Sequence, residues 1–311
     1  MRFSVEAWAT EYGSPMEVDE RELSDTKVDV GVERPASKWQ PLSPTGETEI
    51  PETILFTDGV RRIDARVWID IDDDRARPGV CASYAAGVMR CDGRAELAGW
   101  KVERGLFSAV ANAAPIHCRH ASYEVRRSDG DAPEDLWLAI QKRMAELESA
   151  LASAESTDLV VVDGPLRGDL QSGSRVGYVK THHVAYLPPE VEGVVAALEP
   201  GQRTPLFLTL GRWGRFCWYT RLPGGTGHSW AGVVRCETSA DIEKAEAVKL
   251  AEAVTLALPR FASVGHKDPR APQNLYPIAG LERELRRRLG DPALLYRDLR
   301  VAAAPAPAMS S

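Results

Sequence analysis

Apolar and polar positions follow two periods along this chain, and together they lay out an α/β protein. The strongest signal is Leu159–Leu166, LVVVDGPL, an apolar and mostly β-branched run that ends in Asp163, Gly164 and Pro165. Such a run predicts a strand buried on both faces. Asp163 then falls at its C-terminal end, where α/β sheets place their chemistry. Ile54–Val60, ILFTDGV, repeats the grammar and runs into Asp58-Gly59. Ile54–Thr57 is therefore expected to be the first strand. Ala65–Ile71, ARVWIDI, alternates and predicts its antiparallel neighbour. Asp72–Gly79 would supply the hairpin loop and Val80–Met89 a third strand.

A helical period takes over from Ala132 to Ser153. Asp131, Pro133 and Glu134 mark its start, and Leu136, Ile140, Met144, Leu147 and Leu151 recur on one face. A polar link over Glu155–Asp158 joins this helix to the LVVVDGPL strand, giving an α/β unit. Further strands are predicted at Arg175–Lys180, Pro205–Leu210, Arg215–Leu222 and Trp230–Cys236. Helices are predicted at Pro188–Leu198, Asp241–Leu258 and Ile278–Gly290, the last closed by Gly290 and Asp291-Pro292. Residues 1–50 are rich in acids and prolines and predict an extended arm with one short helix or strand. Residues 51–301 would then form one domain, and the Ala/Pro/Ser tail over 302–311 is expected to be disordered.

Composition narrows the classes. Hydrophobic content of 44% and charged content of 27% are globular values. No apolar run approaches the roughly 18 residues of a membrane span, and no signal peptide is visible. The five cysteines, Cys81, Cys91, Cys118, Cys217 and Cys236, include no CxxC, which speaks against a disulfide framework or a zinc site. A reduced, cytoplasmic protein with no membrane partner is expected. The net charge of −7 opposes strong unaided binding of nucleic acid.

Against that background the carboxylates stand out. Two strands that each end in Asp-Gly can bring Asp58 and Asp163 together, and paired carboxylates are what a hard divalent metal needs. Either dipeptide alone would be an ordinary turn. Glu146 lies 17 residues before Asp163. With about 1.5 Å per helical residue and about 3.3 Å per strand residue, a helix returning over the strand can carry it back to the strand end. Glu148 is its nearest rival. Lys180, ending a buried-looking strand, could neutralise a scissile phosphate or be a strand-end lysine in water, and the sequence favours neither. His182 and His183 offer ligands or bases, but adjacent strand residues face opposite ways. The acids Asp72, Asp73 and Asp74 fit a solvated hairpin tip better than a metal site. Arg286, Arg287 and Arg288 on the last helix could grip DNA or a partner, or form a solvated face. Arg212–Arg221, RWGRFCWYTR, interleaves arginines with aromatics in the manner of single-strand binders; in a strand the same pattern is more often half core and half surface.

The order of strand-end Asp-Gly, helix Glu, strand-end DGPL, strand-end Lys and a late helix after a Tyr/Pro-rich loop resembles the NurA nucleases. The likeness covers roughly Ile54 to Gly290 and is most specific over Met144–Leu166. It implies a ribonuclease-H-like mixed β-sheet flanked by helices, an opening that the predicted hairpin meander suits. It implies that Asp58, Glu146 and Asp163 bind Mn²⁺ or Mg²⁺, and that Lys180 matches the family's strand-end lysine. Val60 stands where the family usually has serine. Glu282 stands at the place of the family's late-helix histidine, as a further candidate catalytic residue. The resemblance also implies DNA as substrate, a homodimer, and a HerA-type hexameric ATPase as partner. A subunit that kept the fold and lost activity is the alternative. A PD-(D/E)xK site fits poorly, because Tyr178 occupies the place of its second acid.

Overall fold

The computed structural model describes residues 27–45, 48–72, 75–155, 157–166, 174–180, 186–211, 213–225 and 228–304, with the backbone of residues 3–5. The chain opens with β1 (Phe3–Val5) and β2 (Lys27–Asp29), followed by β3 (Ile54–Asp72), β4 (Arg75–Cys91) and β5 (Ala95–Ser108). Next come β6 (Ile116–His117), β7 (Ser122–Arg127), α1 (Pro133–Ser153), β8 (Leu159–Asp163), β9 (Arg175–Val179) and α2 (Pro189–Ala196). The remaining elements are β10 (Phe207–Leu210), β11 (Gly214–Arg221), β12 (Val233–Ser239), α3 (Lys244–Ala257), α4 (Tyr276–Arg288) and α5 (Pro292–Ala303).

The strands form one mixed sheet of twelve, in the order β2-β10-β11-β12-β9-β8-β3-β4-β5-β7-β6, with β1 on the distal half of β3. β3, β4 and β5 are an antiparallel meander of long strands. β8 lies parallel to β3, and β9 parallel to β8. The outermost strands of the order are short: β2 has three residues and β6 two.

The two strands expected at Ile54–Thr57 and Ala65–Ile71 are one strand. β4 pairs with β3 from Ile54 to Asp72, straight through Asp58-Gly59, with a bulge at Asp64. Gly59 is therefore not a turn residue. Of the expected hairpin loop, Asp72 belongs to β3 and residues 75–79 to β4, with Pro78 opposite Trp68; residues 73–74 lie outside the described residues.

Helices cover both faces because neighbouring strand residues point opposite ways. On one face α1 packs Leu136, Ile140, Met144 and Leu147 onto Ala82, Tyr84 and Ala86. On the other, Leu281 and Leu285 of α4 meet Val60 and Ala85. Each such leucine contributes about 1.5–3 kcal/mol relative to an exposed one. Phe216 and Trp218 of β11 pack with Ala247, Ala251 and Val254 of α3, while Cys217 and Tyr219 join Trp39 and Val191 on the reverse side.

Three segments differ from expectation. Among its described residues the arm carries two short strands, and Glu33 makes a bidentate pair with the buried Arg203 at 2.8 and 2.9 Å. Asp291-Pro292 does more than close α4: Asp291 accepts from the Leu294 amide at 2.9 Å and caps α5, with Pro292 in its first turn. Ala302 and Ala303 of the expected tail belong to that helix, and residues 305–311 lie outside the described residues. Among the described residues no helix is long and apolar enough to cross a membrane.

Candidate active site

Parallel pairing of β3 with β8 matches Thr57 to Val162, so the next residues, Asp58 and Asp163, stand side by side on adjacent strands. β8 ends there, whereas β3 continues. Among the described residues no strand covers this edge of β3 between Asp58 and Arg66; β1 takes it up at Val67. A cleft of about 740 Å³ opens at the gap, lined among others by Asp58, Gly59, Glu148, Asp163, Arg270 and Glu282.

Gly59 lets α1 descend onto β3. A Cβ there would clash with Glu148 Oε1 and stand 2.8 Å from Met144 Cγ. The helical carboxylate beside Asp58 is therefore Glu148, not Glu146. Glu146 sits at the rim, 42% exposed, with its carboxylate on Arg143 at 2.5 Å. Two helical residues differ by about 200° around the axis. Counting distance along the chain gave the right turn of α1 but not the right side. Glu148 follows Met144 by four positions and Leu147 by one, which was the available signal.

The charges in the cleft oppose one another. Burial pushes the Asp58 carboxyl well above the usual aspartate range, and the negative charges of Asp163 and Glu148 push it further. Lys180 and the Gly59 amide, 2.7 Å from Oδ1, act in the other direction. Burial also raises Asp163, against the pull of Lys180, whose Nζ donates to Oδ2 at 2.7 Å. Asp163 Oδ1 is buried and has no hydrogen-bond partner among the described residues. Lys180 reaches Asn274 Oδ1 at 3.3 Å, and Asn274 in turn donates to Asp268 Oδ2 at 2.6 Å.

The opposite wall is cationic. Glu282 accepts from Arg270 at 2.9 Å through one oxygen and from Arg286 at 3.0 Å through the other. Burial works to raise its carboxyl, but these two hydrogen bonds outweigh it and hold the group below the usual range. Glu282 is at the cleft, as expected, with both oxygens engaged by arginine. Arg287 and Arg288 pair with Glu284 instead, and Arg288 stacks over Trp100 at 4.0 Å.

Oxygen donors suit a hard divalent cation, and an unpartnered buried oxygen of Asp163 next to the Asp58 carboxylate is a place for positive charge. The donors surround the cleft without closing on one point: among the described residues no group of three or more His, Cys, Asp or Glu is preassembled for a metal. His182 and His183 lie outside the described residues, as do Asp73 and Asp74; Asp72 pairs with Arg75. The aromatic residues of β11 do not form a nucleic-acid surface. Phe216, Trp218 and Tyr219 are buried because helices and Trp39 cover both faces, and of that stretch only Trp213, among the described aromatics, is exposed. Arg270, Asn274 and Asp268 were not anticipated, since their loop has no periodicity to reveal which side chains converge.

Neither protein-family models nor curated proteins give a match to this chain.

Proposed function

We propose that this protein is a metal-dependent nuclease that hydrolyses phosphodiester bonds in DNA. The observation that carries the proposal is the Asp58–Asp163 pair on adjacent parallel strands, with Asp163 Oδ1 buried and unpartnered among the described residues. Asp58, Asp163 and Glu148 would hold Mn²⁺ or Mg²⁺. When bound, the ion would activate water and stabilise charge on the leaving oxygen. The carboxylates must be ionised to act as ligands, so binding releases the protons that burial favours on Asp58 and Asp163. Lys180 offers its ammonium to the phosphate from beside Asp163. Arg270 and Arg286, held by Glu282, line the opposite wall, where they orient the backbone phosphates. Glu282, at the place of the histidine in the NurA nucleases, acts on this proposal as the tether of those arginines.

The strand order supports a ribonuclease-H-like reading. Three antiparallel strands, β5-β4-β3, are followed by two parallel ones, β8 and β9, with α1 between the two sets. DNA, a HerA-like ATPase and a second copy of the chain are the proposed partners, in the cytoplasm. With a net charge of −7, a basic motor would supply the electrostatic grip that this surface lacks. A non-catalytic subunit is the second reading, favoured by the Lys180–Asp163 pair, which already gives one carboxylate oxygen a counter-charge.

The test is cleavage of labelled single- and double-stranded DNA by the full chain, with Mn²⁺, Mg²⁺ or EDTA, with and without a HerA-like ATPase. Metal-dependent cleavage that disappears in Asp163→Asn is expected. Cleavage under none of these conditions, together with no Mn²⁺ binding by calorimetry, would favour the second reading.

A further inference from the structure

Two strands away from the carboxylates, a buried charged cluster holds the turn that follows Asp163. Glu237 on β12 is 4% exposed and accepts the Leu166 amide through Oε1 at 2.7 Å. Arg215 on β11, also buried, donates to the Leu166 carbonyl through Nη2 at 2.7 Å. Both backbone groups of Leu166 are thus fixed by side chains from the neighbouring half of the sheet. Arg235 completes the cluster, with Nη2 3.4 Å from Glu237 Oε2.

Gly177 makes this reach possible. It faces Glu237 across the β9–β12 pairing. A Cβ at 177 would lie 2.9 Å from Glu237 Cγ, 2.9 Å from the Leu166 nitrogen and 3.0 Å from the Gly164 carbonyl oxygen. Gly164 itself adopts φ of +95° and donates to the Tyr178 carbonyl at 2.9 Å. The chain after Asp163 is therefore folded back over β9 through a residue type that favours the left-handed region. Its far end is tied down at Leu166.

We infer that Glu237 is a positioning residue for Asp163: by clamping Leu166 over Gly177 it fixes the turn that aims the Asp163 carboxylate into the cleft. This rests on the reading of Asp163 as a metal ligand. A site built on a loop needs support of this kind, because small displacements of a ligand group carry large losses.

The test compares Glu237→Gln, Glu237→Ala and Gly177→Ala in the full chain. Glutamine keeps an acceptor for the Leu166 amide and loses only the charge, so it should rescue. Expected is a Mn²⁺ Kd, by calorimetry, within threefold of wild type for Glu237→Gln and weakened tenfold or more for Glu237→Ala and Gly177→Ala. Hydrogen exchange at the Leu166 amide, which needs no metal, should quicken at least tenfold in Glu237→Ala and stay slow in Glu237→Gln. Gly177→Ala retains every charge and stands in if Glu237→Ala fails to fold. A purely structural ion pair predicts equal destabilisation of both Glu237 variants and unchanged Mn²⁺ affinity in each folded protein. That result, or unchanged affinity in Gly177→Ala, overturns the positioning role. Absence of Mn²⁺ binding by the wild-type chain overturns the metal reading itself, and the positioning role with it.

Discussion

Asp58 and Asp64, six positions apart on β3, differ in almost every respect, and Asp58 is half-buried at the cleft. Asp64, at the bulge, is 3% exposed and fully served. It accepts from Ser83 at 2.5 Å, Tyr123 at 3.0 Å and Arg62 at 2.9 Å. Asp58 has the amide of its own neighbour, Gly59, and faces two further acids. A buried carboxylate with its partners in place is architecture. One surrounded by like charge stores an unmet demand, which a cation can satisfy.

The largest expected effect is on the unmet side. Asp163→Asn should lower metal-dependent cleavage by about a thousandfold or more, roughly 4 kcal/mol in the barrier, with a melting temperature no lower than wild type. A folded variant with wild-type activity would break the contrast. On the satisfied side, Asp64→Ala strands the Tyr123 and Ser83 hydroxyls and should cost about 3 kcal/mol of stability in urea unfolding. The same variant should bind Mn²⁺ as wild type does wherever it remains folded.

The helix then sharpens the comparison. Glu148→Gln should lower cleavage about tenfold to a hundredfold, and Glu146→Gln, at the exposed rim, less than twofold. The reverse order would return the metal role to Glu146.

The smallest effect is on stability alone. The folded-state pKa of Asp58 is raised, so ionisation works against the fold. The stabilising contribution is fully present below the ordinary aspartate value of 3.8 and is lost as pH rises through the raised value. Asp58→Asn escapes that loss. Without metal it should be more stable than wild type at pH 7.5, and the gain should vanish below about pH 3.8, as read by denaturant titration at several pH values. Mn²⁺ at a hundred times its Kd should then stabilise wild type by about 2.7 kcal/mol and the variant by much less.

The buried strand Leu159–Asp163, the helix feeding it and the meeting of Asp58 with Asp163 were legible, because an apolar run and its polar terminus are local signals. Gly59 was legible as a glycine but not as to its purpose. An Asp-Gly step looks the same whether it turns the chain or lets a helix descend onto a strand, and only the partner across the sheet decides. Glu148 against Glu146 depended on rotation about α1, which distance along the chain does not encode. Arg215 and Glu237 looked like residues of ordinary strands, since their work is done on the backbone of Leu166, 49 and 71 positions away.

A sheet of twelve strands invites a different kind of trouble, because an exposed border of free amides and carbonyls templates the growth of further strands. Here the border strands are Lys27–Asp29 and Ile116–His117. Segments of three and two residues give an incoming strand little to register on, and Lys27 and Asp29 would set charge against it. These two outermost strands thus offer little template for fibrous self-assembly.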